Sequence, residues 1–127
     1  MEYLTREEAL GLHYAIIAKT GGLHGIRDLN LFDSIIERPK GSFNGRELYI
    51  GAFAKAAVYL EGFAKFHVFI DGNKRTAFAS AKRFLYLNSI NLVPNNKEVE
   101  SFMLTVISQN LDISSIATWL KENSEAT

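Results

Sequence analysis

The sequence predicts a nearly all-α protein: one compact domain over residues 1–127, built of six helices with a small hairpin flap. Three observations lead there. Apolar residues recur at helical spacing in six segments. Capping residues and helix breakers separate those segments. No repeat, low-complexity tract or linker divides the chain. About half of the 127 residues (47%) are apolar, which argues against disorder. Lys plus Arg equals Asp plus Glu at 14 each, so the formal charge is zero. That balance points away from direct nucleic-acid binding and from anionic membranes. The longest apolar run, Leu48 to Leu60, carries Lys55 and is too short to span a bilayer. The acidic N-terminus is no signal peptide. The absence of cysteine excludes disulfides and thiolate zinc sites and fits a reducing cytoplasm.

Thr5 followed by Glu8 is a capping box. Behind it Ala9, Leu12, His13, Ile16 and Ile17 give a first helix over Arg6 to Lys19, stopped by Gly21-Gly22. His13 reads as a histidine at the edge of the core. His24 lies in the glycine loop from Gly21 to Gly25; it is either merely solvated or part of a loop that helps shape the site, and nothing local decides between them. Asp28 caps a short second helix with Leu31, Ile35 and Ile36 inward, and Pro39 ends it. The Asn44-Gly45 pair is a hairpin signal, because both positions tolerate positive φ. Its flanks are short, so the expectation is a flap, with an ordinary surface loop as the alternative.

From Leu48 to Phe66 the chain is helical again, with Phe53, Ala56, Ala57, Leu60 and Ala64 in one stripe. Its alanines allow a neighbouring helix close approach. The next helix runs to Asn88. Ala77, Phe78, Ala79, Ala81, Phe84, Leu85, Tyr86 and Leu87 nearly encircle it, which predicts a central, surrounded helix. A short extended piece is expected at Asn91-Leu92-Val93. Asn95 or Asn96 caps a fifth helix carrying Val99, Phe102, Met103, Val106 and Ile107. Ser114 or Ser115 caps a sixth with Ile116, Trp119 and Leu120. Asn123 to Thr127 is expected to fray.

The chemistry concentrates in His67-Val68-Phe69-Ile70-Asp71-Gly72-Asn73-Lys74-Arg75-Thr76, between the third and fourth helices. A helix start leaves backbone N–H groups unpaired at the positive end of the macrodipole. Gly72, an Asn73 cap, and Lys74 and Arg75 in the first turn therefore describe a cradle for an anion, above all phosphate. Gly72 lets backbone approach a ligand closely. Lys74 adds a point charge and Arg75 a planar fork of donors. Asp71 is a hard oxygen ligand suited to magnesium shared with phosphate oxygens. His67 is the side chain here suited to moving a proton near neutral pH. Phe69 and Ile70 are expected to anchor the loop in the core. Together these residues describe transfer of a phosphorus group to a hydroxyl, governed by positioning and charge. The plainer alternative is a capped helix with solvated Lys74 and Arg75 and a surface His67. A transition-metal pair of His67 and Asp71 would have too few ligands.

At this motif the sequence resembles the Fic/Doc superfamily, whose signature reads His-Pro-Phe-x-Asp/Glu-Gly-Asn-Gly/Lys-Arg. Within it the chain resembles the death-on-curing (Doc) toxins of bacterial toxin–antitoxin modules. The resemblance extends to the length, the Gly21-Gly22-Leu23-His24-Gly25 loop, the short helix ending at Arg38-Pro39, and the helices flanking the motif. It implies His67 as general base, Asp71 on Mg2+, and Gly72, Asn73, Lys74 and Arg75 on the phosphates of ATP. It also implies that the Asn44-Gly45 flap, with Arg46 beside it, holds an extended target segment by strand addition. AMP-transferring members carry glycine at the position of Lys74, often a second arginine at that of Phe78, and proline at that of Val68. Doc toxins carry the lysine, bind ATP the other way round and transfer its γ-phosphate to a threonine of elongation factor Tu. Gly72 matches the AMP-transferring members, where Doc-type motifs often have alanine. The resemblance therefore implies a bacterial cytoplasmic kinase toxin that arrests translation. AMP transfer is the alternative, and a catalytically idle binding module a further one. A cognate antitoxin, whose C-terminal segment folds on the toxin, is the implied partner. Thr118 to Glu122-Asn123 fits the string of an internal brake found in many relatives, but that brake pairs its glutamate with the second arginine, here Phe78.

Overall fold

The computed structural model describes residues 1–126; Thr127, the last residue of the expected domain and of the expected frayed end, lies outside them. Six α-helices and two small two-stranded sheets make up the described chain. Helix α1 spans Arg6–Thr20, with the Thr5–Glu8 capping box closed in both directions and Gly21 as its C-cap. Helix α2, Leu29–Glu37, begins where the Asp28 carboxylate accepts the Leu31 N–H. Pro39 does not stop the chain outright. It sits inside a 3-10 turn, Arg38–Lys40, that continues α2. The flap follows as β1, Ser42–Phe43, paired antiparallel with β2, Arg46–Glu47, around Asn44 and Gly45, both at positive φ. No side chain of either strand is buried.

Helix α3 spans Ala52–Lys65 and starts four residues later than its apolar run suggests. Gly51, at φ +89, turns the chain at the N-cap, and Leu48 and Ile50 stay exposed in the approach. Helix α3 is the innermost helix: Lys55 to Leu60 and Gly62 to Ala64 are all buried. This corrects the expectation that the following helix is central. Helix α4, Asn73–Leu87, packs Thr76, Ala77, Ser80, Ala81, Phe84 and Leu85 inward but exposes Lys74, Arg75, Lys82, Arg83 and Tyr86. Its apolar circumference was misleading because Tyr86 turns outward, whereas alanines and glycine let α3 be enclosed. A Cβ on Gly62 would come within 2.9 Å of Ile35 on α2.

After α4, β3 covers Ile90–Leu92, one residue earlier than expected. Helix α5, Asn96–Ser108, carries the expected cap at Asn95, in a box with Glu98. Helix α6, Ile113–Glu122, is capped by Asp112 rather than Ser114 or Ser115; the Ser115 N–H is the donor to it. The described end of the chain does not fray: β4, Ser124–Ala126, pairs antiparallel with β3. One apolar core, centred on Phe32, Tyr59, Leu60, Phe63, Phe69 and Phe84, joins all six helices. Among the described residues no helix is long and apolar enough to cross a membrane.

Candidate functional site

The motif lies in the loop between α3 and α4, and that loop is fastened by its backbone. Val68 and Phe69 are fully buried, whereas Ile70 is exposed and does not anchor the loop, contrary to expectation. Phe69 packs against Phe32 and Phe63 with ring centroids 5.8 Å apart in each case. The carbonyl of Val68 accepts the N–H of Arg27 (2.7 Å) and Asp28 (3.3 Å), and Ile70 N–H donates to Gly25 O (3.2 Å). The glycine loop after α1 is thus paired to the motif, a tie that no local signal revealed. Leu23 N–H donates to Asp71 Oδ2 at 2.7 Å. A Cβ on Gly22 would lie 3.0 Å from that of Asp71, so this close approach needs glycine.

Asn73 is not the cap. Gly72 holds the N-cap position in the left-handed region, φ 78 and ψ 20, and Asn73 is the first helical residue. The Asn73 carboxamide reaches back instead. Its Oδ1 accepts Phe69 N–H (2.9 Å) and its Nδ2 donates to Phe69 O (3.0 Å). What Asn73 offers an anion is therefore its backbone amide. The first amide of α4 to find a helical partner is that of Thr76, on Gly72 O. The amides of Gly72, Asn73, Lys74 and Arg75 have no partner among the described residues. A left-handed residue followed by a right-handed one turns successive N–H groups toward one point, an anion-binding nest. The macrodipole of α4 adds partial positive charge there.

Around the nest opens a cavity of about 860 Å3. That is within the range of small-molecule sites, roughly 300–1,000 Å3. His67, Asp71, Gly72, Asn73, Lys74 and Arg75 all line it, so the chain gathers the six central motif candidates in one place. Helix α5 supplies an opposite wall of Val99, Met103, Leu104 and Ile107, with Glu100 among them, and Phe78 lies on the α4 side. These α5 residues are invisible to a reading of the motif alone, since spacing assigns them only to a helix face. Lys74 is exposed and has no ion-pair partner among the described residues. Arg75 Nη1 donates to Thr20 Oγ1 (3.2 Å) and is steadied against the end of α1. His67 is exposed, without a hydrogen-bond partner among the described residues, and sits at φ 49. A non-glycine residue held there costs on the order of 1–3 kcal/mol, strain that persists only where the surroundings impose it. Val68 and Phe69 impose it by burying the next two side chains.

Asp71 uses one carboxylate oxygen on Leu23, and the other has no protein partner among the described residues. No group of three or more His, Cys, Asp or Glu side chains able to hold a metal occurs among the described residues. A lone carboxylate beside a phosphate nest suits magnesium, which keeps most of its shell for phosphate oxygens and water. It does not suit a transition-metal cage.

His13 is buried at 4% exposure, stacked on Phe69 at 3.8 Å and 8°. Its Nε2 lies 2.8 Å from Asp71 O. Burial lowers its pKa from the usual histidine value, the hydrogen bond to Asp71 O acting the other way. His24 remains outside the cavity, stacked on Tyr14 at 4.6 Å.

The flap residues Asn44, Gly45 and Arg46 are exposed and do not line the cavity. The hairpin is tied at its base. Lys55, 1% exposed on α3, reaches Glu47 Oε1 (3.1 Å) and the Tyr49 carbonyl. Glu122 lines a separate cleft of about 690 Å3 between α5 and α6, walled by Phe102 and Trp119 and by no residue of the motif. Thr118 and Asn123 spend their side chains on the backbone of α6. The string that resembled an internal brake is therefore directed away from the nest.

A family model described as "Fic/DOC family" matches residues 3–85 of the chain. "Toxin Doc" of Mycolicibacterium smegmatis is 36% identical over 121 residues, covering 94% of this chain and 91% of that protein. "Protein kinase doc" of Escherichia phage P1 is 32% identical over 121 residues, covering 95% and 94%.

Proposed function

The chain belongs to the Fic/DOC family, and from that membership and its site we propose a Doc-type toxin that phosphorylates a Ser/Thr hydroxyl with ATP. The observation that carries this reading is the nest: amides at Gly72 to Arg75 and a Lys74 ammonium that have no partner among the described residues, lining one cavity with His67. The name "Protein kinase doc" of the phage relative supports phosphate rather than AMP as the group moved.

In the reaction, the target hydroxyl oxygen forms a bond to the γ-phosphorus. The bond from that phosphorus to the β–γ bridging oxygen breaks, ADP leaves, and the hydroxyl proton passes to His67. The exposed His67 ring suits it to meet a macromolecular hydroxyl. The nest amides, Lys74 and Arg75 hold the phosphate oxygens while charge shifts toward the leaving group. Asp71, through its free oxygen, would hold magnesium, which supplies neutralisation of phosphate charge when bound. The α5 side chains Val99, Met103, Leu104 and Ile107 offer apolar surface to the part of the nucleotide that is not phosphate. Gly72 does not weigh toward AMP transfer. Its φ of 78 lies in the left-handed region that favours glycine, a local backbone reason for glycine that does not depend on the group transferred.

The target class is a translation factor like elongation factor Tu, gripped at the Asn44–Arg46 flap as an added strand. The partner is an antitoxin whose C-terminal segment folds onto the toxin, and the setting is the bacterial cytoplasm. Incubation with elongation factor Tu and ATP labelled at the γ or α position tests the reading. Transfer of γ-label alone is expected, and transfer of α-label alone would overturn it in favour of AMP transfer. Unimpaired growth of cells expressing the soluble protein without antitoxin would favour an idle binding module. If Lys74 sets the orientation of ATP, Lys74→Gly lowers γ-transfer at least tenfold, and an unchanged rate removes that role from it.

A further inference from the structure

We propose that His13 is a positioning residue of the phosphate nest, holding the Asp71–Gly72 peptide so that the Gly72 amide faces the bound anion. The inference rests on the nucleotide reading above for its ligand, but its geometry is independent of which group is transferred.

His13 belongs to α1, far from the motif in sequence, and is buried at 4% exposure. A carbonyl oxygen only accepts, so the 2.8 Å contact to Asp71 O fixes the proton on Nε2. The ring is not free to turn away. It lies 3.8 Å from Phe69 and within 8° of parallel, and Phe69 is itself fully buried. The peptide that follows Asp71 is trans, as all are here. In a trans peptide the C=O and the N–H point in opposite directions. With Asp71 O drawn toward His13, Gly72 N–H is directed away from it. His13 does not line the cavity; Asp71 and Gly72 do. The Gly72 amide has no protein partner among the described residues, and the left-handed Gly72 followed by right-handed Asn73 aims it with the amides of Asn73 and Lys74. Without the His13 donor, the Asp71–Gly72 plane would be free to rotate and remove one donor from the nest.

Two substitutions separate this role from packing. His13→Phe keeps the stacked ring and loses the donor. His13→Gln loses the ring but carries an amide Nε2 that reaches about as far as the imidazole Nε2. Wild type and both variants are titrated by calorimetry with a non-hydrolysable ATP analogue plus magnesium and, separately, with pyrophosphate. The Gly72 amide is followed by 15N NMR. His13→Phe is expected to bind both probes about tenfold more weakly, as loss of one oriented donor to a charged group implies, while still unfolding in a single cooperative transition. His13→Gln is expected within about threefold of wild type. Wild-type affinity in His13→Phe, or weakening in His13→Gln alone, overturns the proposal. If His13→Phe does not fold, the wild-type spectrum decides: a Gly72 amide unmoved by pyrophosphate while those of Asn73 and Lys74 shift overturns it. Pyrophosphate binding without binding of the ATP analogue would remove the nucleotide reading and leave the role of His13 standing.

Discussion

Two exposed loops carry the candidate function, and they are built in opposite ways. The motif loop from His67 to Gly72 is bound at nearly every residue by α1, by the glycine loop or by α4. Val68 and Phe69 are sunk in the core, and Asp71 is held at both its carbonyl and its carboxylate. The flap has four strand residues, none buried, and a two-residue turn. Isolated two-stranded hairpins are marginal in water, so this one depends on its base. That base is Lys55 between Glu47 and the Tyr49 carbonyl, with Arg38 Nε on the Tyr49 hydroxyl at 3.2 Å. A loop that must stabilise developing charge benefits from fixed donors. A loop that must accept another protein's backbone benefits from unpaired strand edges and freedom to adjust.

The sharpest way to break the contrast is at its chemical end. His67→Ala is expected to lower transfer about 100- to 10,000-fold, the usual worth of a general base. Its melting temperature should stay close to that of wild type, because the side chain is exposed and makes no hydrogen bond among the described residues. A small loss of rate would deny His67 the proton. Next in size is a paired stability measurement. Phe69→Ala should cost about 3–5 kcal/mol in denaturant unfolding, as large core aromatics do. Phe43→Ala, 70% exposed in the flap, should stay within about 0.5 kcal/mol. Comparable losses would mean that the flap is part of the cooperative core. A milder change than that at Phe69 is expected at the flap's base. Lys55→Met leaves Glu47 free to rehydrate and one carbonyl short of a donor, a change of about 1 kcal/mol. Steady-state kinetics should then show a several-fold higher KM for the protein target and an unchanged KM for ATP. A raised KM for ATP would mean that the two loops are not independent.

Much of this was legible in the sequence, for reasons that can be named. The capping boxes at Thr5 and Asn95, the turn at Asn44-Gly45 and the six apolar stripes are local signals, and each formed where its side chains required. The six motif candidates converge because they are contiguous around a helix start. Burial order was not legible: α4 shows apolar residues nearly all round and α3 a single stripe, yet Tyr86 turns outward from α4 while small residues such as Gly62, which admits Ile35, let α3 be enclosed. Asn73 was misread because Asn at a helix start is a strong cap signal; the left-handed Gly72 took the cap and freed Asn73 to brace Phe69. His13 and the α5 wall were missed as parts of the site, and the glycine loop was only one of two alternatives, because their ties to it are tertiary. His13 and Ile17 share one helix face, and only the folded chain reveals that this face meets Asp71 and Gly72.

The antiparallel bridge between Ile26 and Phe69 bears on the order in which the molecule comes together. Helices α3 and α4 are neighbours in sequence and can pack as a hairpin early, because the loop they close is short. The bridge joins segments separated by all of α2, the flap and α3, so it demands a much larger closure. Contact separation alone therefore predicts that the central hairpin packs before the Gly25, Leu23 and His13 contacts complete the nest. Pulsed hydrogen exchange should find the Ile70 amide, whose acceptor is Gly25 O, protected later than the amides of α3. Earlier protection of Ile70 than of α3 would break that order.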